Sequence, residues 1–543
     1  MISPDREGST TPPKPGGDFG LHLILVAVAV AVHVWVIHNT SVTARDSIGF
    51  ARYALNLTDP NAGRAESEHR SFWQFLRDEK HPPGYPALIF VISVFVRPLY
   101  AAPLPDQILR SAQVASALSA VLLVFPTFRL GRMLFDRTVG FWAALVFQLL
   151  PVVARDTSDG LSDGPFLLFV SWAVLSGVCG VTTGGMGAFA RCGLAAGCAY
   201  LIRPEGLVVP VACGVVLWVA FIQRIVLPRP VVRNLLALSL GFLVVGGPYM
   251  LVIGRITNKP AMFEVAFHSF EPPIGGLLFA ESISTDLVGP NRLGAVALAC
   301  VKEWLKAAHY GVAVLAVVGL FLTWRRVMRE PQFWFPVVYA VVHLLVVALL
   351  GYKKGYVSER HFLPVVWVGV VFAIGGLRES CQLWHQVPGL GLIFCWRYWP
   401  TVIAAGLALV GLPPLAKSLH ENRAGHKEAG IVLRDELEAL NAAHPPLASG
   451  VVIIDHYEWA QFYAERSLYR VVPDPPAPEQ KVVYVVLELK DGRPETPTYQ
   501  SERHRVAVAI FQDRHNPPEW VYHWPKNEPR ERAKVVLVKQ VRK

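Results

Sequence analysis

Thr43-Ala-Arg-Asp-Ser-Ile-Gly-Phe-Ala-Arg-Tyr-Ala54 follows closely on a hydrophobic run, Leu21 to Ile37, that contains no Asp, Glu, Lys or Arg. A bilayer is crossed by ~20 mostly apolar residues. Asp46 therefore sits where a membrane helix empties into water. A second stretch, His81-Pro-Pro-Gly-Tyr-Pro86, is stiffened by proline and closes the polar segment that begins there. A carboxylate held at such a border is a candidate for chemistry at a membrane surface.

Working outward, the 543-residue chain is 53% hydrophobic and only 17% charged, against roughly 25% charged residues in soluble domains. The apolar residues cluster in repeated runs, so the expected fold is an α-helical polytopic membrane protein. Its net charge of +10 lies mostly in short loops between those runs, where positive charge orients a membrane chain. Nucleic-acid binding is therefore not expected. The seven cysteines fall within or between the apolar runs without metal-site spacing, which argues against a disulfide framework.

Residues 1–19 are rich in Pro and Gly and read as a disordered cytoplasmic segment. Apolar runs then occur near 83–100, 108–128, 139–154, 164–181, 188–203, 205–222, 234–254, 305–323, 333–351, 362–377 and 399–416. If every run crossed, Arg129, Arg132 and Arg137 would fall outside and the acidic Asp156–Asp163 loop inside, contrary to the positive-inside rule. The run 83–100 holds Pro83, Pro86 and Pro98, and Pro interrupts helices, so it is expected to lie along the outer interface. Every later basic loop then becomes cytoplasmic. Eleven spans are predicted within residues 20–416, with a large first external loop, 39–107. The tail, 417–543, changes character. Val451–Ile454 and Val482–Leu489 read as strands and Lys427–Leu440 as a helix, giving a small extracytoplasmic α/β domain.

The external regions gather the ionisable groups. Asp156, Asp159 and Asp163 share one short loop and repel unless Arg155, a proton or a cation intervenes; carboxylate oxygens suit Mg²⁺ or Mn²⁺. Asp163, two residues before Pro165, also has the position of a helix cap. Arg203 and Glu205 read as an ion pair at a helix corner. Lys353, Lys354, Arg360 and His361 form an external basic cluster, and such a cluster holds phosphate by charge and forked hydrogen bonds. In the 255–304 loop Glu264, His268, Glu271 and Asp286 are candidate substrate contacts that nothing local distinguishes. His33 and His343 lie in spans, where helix–helix hydrogen bonds are the ordinary role.

Together, Asp46 after the first span, His81-Pro-Pro-Gly-Tyr-Pro86, the Asp156–Asp163 loop and Tyr200-Leu-Ile-Arg-Pro-Glu-Gly206 resemble GT-C type integral-membrane glycosyltransferases. The nearest branch is that of the protein O-mannosyltransferases and the lipid A aminoarabinose transferase. The resemblance covers roughly residues 20–380. It implies a sugar donor on a polyprenyl phosphate or diphosphate, and a protein, lipid or glycan acceptor on the extracytoplasmic face of the plasma membrane. It also implies Asp46 as the first-loop base, Asp163 as the second-loop acid, and His81 at a position often held by Lys or His. Tyr85, Arg203, Lys353, Lys354, Arg360 and His268 would then contact substrate or phosphate. A divalent cation would sit at Asp156, Asp159 and Asp163, and no organic cofactor is expected. The chain departs from the family where Ser47 replaces a second acid and Phe50 a tyrosine. The rival expectation is a transporter or lipid flippase with an accessory soluble domain.

Overall fold

A computed structural model describes residues 18–541 apart from 43, 45, 63–68, 224–227, 259–291, 356, 386–398, 420–423, 444–450, 456–457, 466–481, 491–492, 496–501, 514 and 527. The expected N-terminal disorder over 1–17 and the contact at His268 lie outside the described residues, as does the Lys354 side chain.

The first half of the chain forms helices α1 (Phe19–Asn39), α2 (Asp46–Asn56), α3 (Phe72–Asp78), α4 (Gly84–Leu99), α5 (Leu104–Leu122), α6 (Val124–Leu134), α7 (Arg137–Leu149), α8 (Pro151–Asp156), α9 (Asp163–Thr183), α10 (Met186–Ile202), α11 (Val208–Ile222) and α12 (Pro228–Ile253). Among the described residues seven helices are long and apolar enough to cross a membrane, or eight if the pair Arg292–Ala307 and Gly311–Leu322, bent by 104°, is one span. Gly84–Leu99, Met186–Ile202 and Thr401–Lys417 are shorter apolar helices. The polytopic helical fold is as expected. The run 139–154, read as one span, is instead two helices. Leu150 is extended and Pro151 opens α8, because a proline has no N–H with which to continue the preceding helix.

The segment expected not to cross forms a single helix. Helix α4 has 16 residues, about 24 Å of rise. Near its start the Tyr85 hydroxyl donates to the Ala112 carbonyl at 3.0 Å, and at its end the Tyr100 carbonyl accepts from Gln107. Those two partners are about 7.5 Å apart along α5. Both ends of α4 thus lie at one end of the bundle, and the helix runs across its neighbours. Its outer face carries the exposed Val91, Val94, Phe95 and Leu99.

The basic loops gather at one place. Asp18 at the start of α1 pairs with Arg132 and Arg137, Arg378 with Asp136 at 2.9 Å, and Arg326 with Glu379 at 2.7 Å. Arg326 also donates to the Leu134 carbonyl. These loops share the bundle end opposite α4.

The C-terminal unit is a sheet ordered β1-β2-β5-β4, with β3 (Arg493–Pro494) paired on β2. Strand β1 (Val451–Asp455) runs parallel to β2 (Val482–Lys490), while β4 (Glu519–Trp524) and β5 (Val535–Val541) complete it antiparallel. Val482, Tyr484 and Val486 pack under Ala429 and Leu433, while Val483, Val485 and Leu487 pack under Ala507 and Ile510. Helices therefore cover both faces, which is why β2 reads as an unbroken apolar run. Trp459 and Phe462, from the helix Trp459–Tyr463, join the core of the membrane bundle.

Candidate active site

Asp46 is the first residue of α2, where the positive end of the helix dipole favours a carboxylate. Its Oδ2 accepts from Nη2 of Arg360 at 2.9 Å, and its side chain remains 42% exposed. The α2 start is fixed from below. The Ser47 hydroxyl donates to the carbonyls of Asp159 and Gly160, each at 3.2 Å, and the Ala44 N–H donates to Asp159 Oδ2 at 3.2 Å. The acidic loop is thus the seat on which the Asp46 turn rests. His33 clamps that loop from α1, bonded to the Ser158 hydroxyl at 2.7 Å and to the Gln148 side-chain oxygen at 3.0 Å.

Beneath this lies a buried pair. Asp163, 3% exposed, pairs with Arg203, which also faces Glu205 at 3.8 Å and stacks over the Phe166 ring. Burial opposes the charge on Arg203, but Asp163 and Glu205 outweigh it despite repulsion from Arg360, leaving the guanidinium raised and charged. A third group joins Arg155 to Asp156 at 2.9 Å and to Glu359. Burial, reinforced by Asp163 and Glu359, pushes the Asp156 carboxyl up to about 6 against the pull of Arg155. Arg155 itself is more exposed, and its two acidic partners favour its charged form.

The 3₁₀ turn Glu359–Phe362 ties these groups together. Glu359 reaches the acidic loop, Arg360 reaches Asp46, and the His361 carbonyl accepts from His343 at 3.0 Å. The proline-rich motif closes the other side. Phe50 of α2 meets the rings of His81 and Tyr85, with centroids 4.7 and 5.0 Å apart. Burial, then the nearby charges of Asp163 and Asp159, push the Tyr85 phenol well above its ordinary value. Gly84 abuts the end of α10 so closely that a Cβ would lie 2.6 Å from the Leu201 carbonyl oxygen. The motifs at 81–86 and 200–206 are therefore one packed junction.

A family model described as dolichyl-phosphate-mannose-protein mannosyltransferase matches residues 81–246. No curated protein matches the chain. Among solved structures, ArnT from Cupriavidus metallidurans bound to undecaprenyl phosphate aligns with a TM-score of 0.55 at 14% identity, covering 96% of this chain and 98% of that one. The fold is that of the GT-C glycosyltransferases. The apo oligosaccharyltransferase of Archaeoglobus fulgidus also carries this GT-C fold, with a TM-score of 0.54 at 13% identity over 83% of this chain. This chain spans 64% of the length of that protein. The same organism's oligosaccharyltransferase in complex with an inhibitory peptide and a dolichol-phosphate aligns at 0.50 and 14% identity, over 86% of this chain and 69% of that one. The resemblance drawn from the four motifs thus holds at the level of the fold.

Within this GT-C fold the expected residues divide. Asp46, Arg360, His81, Tyr85, Asp163 and Arg203 come together. Lys353, in the last turn of the helix Pro331–Lys354, accepts from Arg292 through its carbonyl at 3.2 Å. The expected cation set does not converge. Among the described residues no three His, Cys, Asp or Glu side chains could hold a metal ion together. Asp156 is turned to Arg155, Asp159 to the Ala44 N–H and Asp163 to Arg203, because separate partners answer the charge of each. Sequence reading missed Glu359 and its bond to Arg155, which are 204 positions apart. It also missed Arg52 of α2, whose guanidinium meets Glu458 of the C-terminal unit at 3.2 Å.

Proposed function

We propose that the protein is a membrane glycosyltransferase that moves a sugar from a polyprenyl-phosphate or diphosphate donor to an acceptor hydroxyl or amine at the Asp46 end of the bundle. The observation that carries this reading is the Asp46–Arg360 pair, a part-exposed carboxylate and guanidinium on top of buried charge pairs at one end of an apolar bundle. The undecaprenyl phosphate and dolichol-phosphate named for the two solved relatives support this class of donor.

In this mechanism Asp46 takes the proton from the acceptor as its oxygen or nitrogen attacks the anomeric carbon. The bond from that carbon to the phosphate oxygen breaks, and its electron pair leaves with the phosphate. The sugar passes through an oxocarbenium-like state, similar in charge to that of glycoside hydrolysis. Arg360 is beside the base and can turn to the departing phosphate, where a fixed positive charge is most effective. The second-loop acid expected at Asp163 is reassigned here. Being buried and held by Arg203, it positions the acidic loop under Asp46 and takes no proton. His81 and Tyr85, stacked on Phe50, orient α2 against that loop. The positive-inside rule puts the Arg132, Arg326 and Arg378 end in the cytoplasm, and hence this site outside.

Transfer of labelled sugar from a panel of polyprenyl-phosphate donors by the purified protein tests the reading. Asp46→Asn should lower turnover about 10²–10⁴-fold, the usual worth of a general base, with an unchanged unfolding temperature. Turnover equal to wild type would remove Asp46 from the mechanism. Failure to transfer or hydrolyse any donor would remove the enzyme reading itself.

A further inference from the structure

Helices α10 and α12 touch backbone to backbone. A Cβ on Gly193 would lie 2.1 Å from the Leu238 carbonyl oxygen, and one on Gly241 would lie 2.3 Å from that of Ala190. Small residues at such an interface let helix backbones approach this closely. Beside the contact runs an open groove of about 780 Å³, walled by Leu194, Leu236, Leu240 and Val244. Its side chains face outward; Leu236, Leu240 and Val244 are 57, 62 and 68% exposed. Two cations, Arg229 and Arg233, stand at its mouth. Arg233 also donates to the Gly184 carbonyl at 3.4 Å, which fixes this mouth at the C-terminal end of α9, the end opposite Asp163 and the site.

We infer that this groove binds an anionic phospholipid of the leaflet opposite the active site, its phosphate on Arg229 and Arg233 and one acyl chain along α12. Length supports the assignment. From Arg233 to Val244 is eleven residues, about 16 Å of helix, and half of a ~30 Å hydrocarbon core is ~15 Å. The groove therefore ends near the bilayer midplane, the depth one leaflet's acyl chain reaches. Charge supports it as well, because the cations stand only at the headgroup end. Positive-inside orientation accounts for arginines in this loop, but not for their place at the mouth of an apolar channel of leaflet depth.

The test uses the full-length protein in neutral detergent, with added phosphatidylglycerol or phosphatidylcholine and native mass spectrometry to count retained lipids. Wild type should retain phosphatidylglycerol in preference by about thirtyfold, the scale expected for two arginines facing one anionic headgroup. Arg229→Ala with Arg233→Ala should abolish the preference, and Leu240→Trp, which fills the groove without touching charge, should lower retention of both lipids. None of these residues belongs to the proposed catalytic site, so sugar transfer provides a check that each variant is folded. Equal retention of the two lipids by wild type would overturn the proposal in favour of ordinary boundary lipid. Displacement of phosphatidylglycerol by inorganic phosphate would overturn it in favour of a bare anion site. Displacement by undecaprenyl phosphate at equal concentration would overturn it in favour of the carrier lipid.

Discussion

Gly84 and Asp156 are two positions where single atoms matter outside the proposed chemistry. A methyl group at Gly84 meets backbone, the Leu201 carbonyl, which cannot rotate away. Gly84→Ala should therefore cost about 1–3 kcal/mol, the usual range for overpacking, and lower the unfolding temperature in detergent. An unchanged temperature would show that the 81–86 and 200–206 junction is loose. Asp156 makes a prediction about pH. Its folded carboxyl titrates near 6 against an ordinary 3.8. Between those values the folded protein holds a proton that the unfolded chain releases, so stability falls as pH rises through the window. The loss by neutral pH is about 2–3 kcal/mol. Asp156→Asn should flatten that slope; a wild-type profile already level from pH 4 to 6 would contradict it.

At the scale of elements, the 3₁₀ turn Glu359–Phe362 and the loop 155–163 hold each other through Arg155, and the loop in turn carries α2. Arg203 secures this assembly at the buried Asp163. Arg203→Ala leaves an uncompensated buried carboxylate and should cost about 3–5 kcal/mol. Adding Asp163→Asn should restore part of that loss, and a double variant no more stable than the single would show that the pair is not the anchor. This level of organisation was partly legible in the chain. The helices, the flat segment 83–100 and the four motifs could be read because each is a local pattern of hydropathy, proline or charge. The pairing of Glu359 with Arg155 could not, since nothing in a short loop says which of several acids will fold onto it. The cation reading of the acidic loop has no three-ligand cluster behind it among the described residues. Three nearby carboxylates look like ligands until their separate partners, Arg155, Ala44 and Arg203, are known. Strands β4 and β5 went unread although Val535-Val-Leu-Val538 is a plain strand signal, while Glu519–Trp524 mixes polar and aromatic residues as a partly covered edge does.

At the scale of the whole molecule, ion pairs among the described residues pin the C-terminal unit to the bundle, Arg52 to Glu458 and Lys427 to Asp106 at 2.8 Å, besides the packing of Trp459 and Phe462. Removing both cations, Arg52→Ala with Lys427→Ala, should release about 1–2 kcal/mol of anchoring and speed amide exchange about tenfold in Val451–Asp455 and Trp459–Tyr463. Exchange in α9 and α10 should not change. Unaltered exchange in the sheet would mean that the aromatic packing alone carries the attachment.

Arg52 stands on the same helix as Asp46, six residues further along. The C-terminal unit therefore grips the rod that carries the proposed base, and any rocking of that unit is transmitted to the Asp46 carboxylate through a lever less than two turns long.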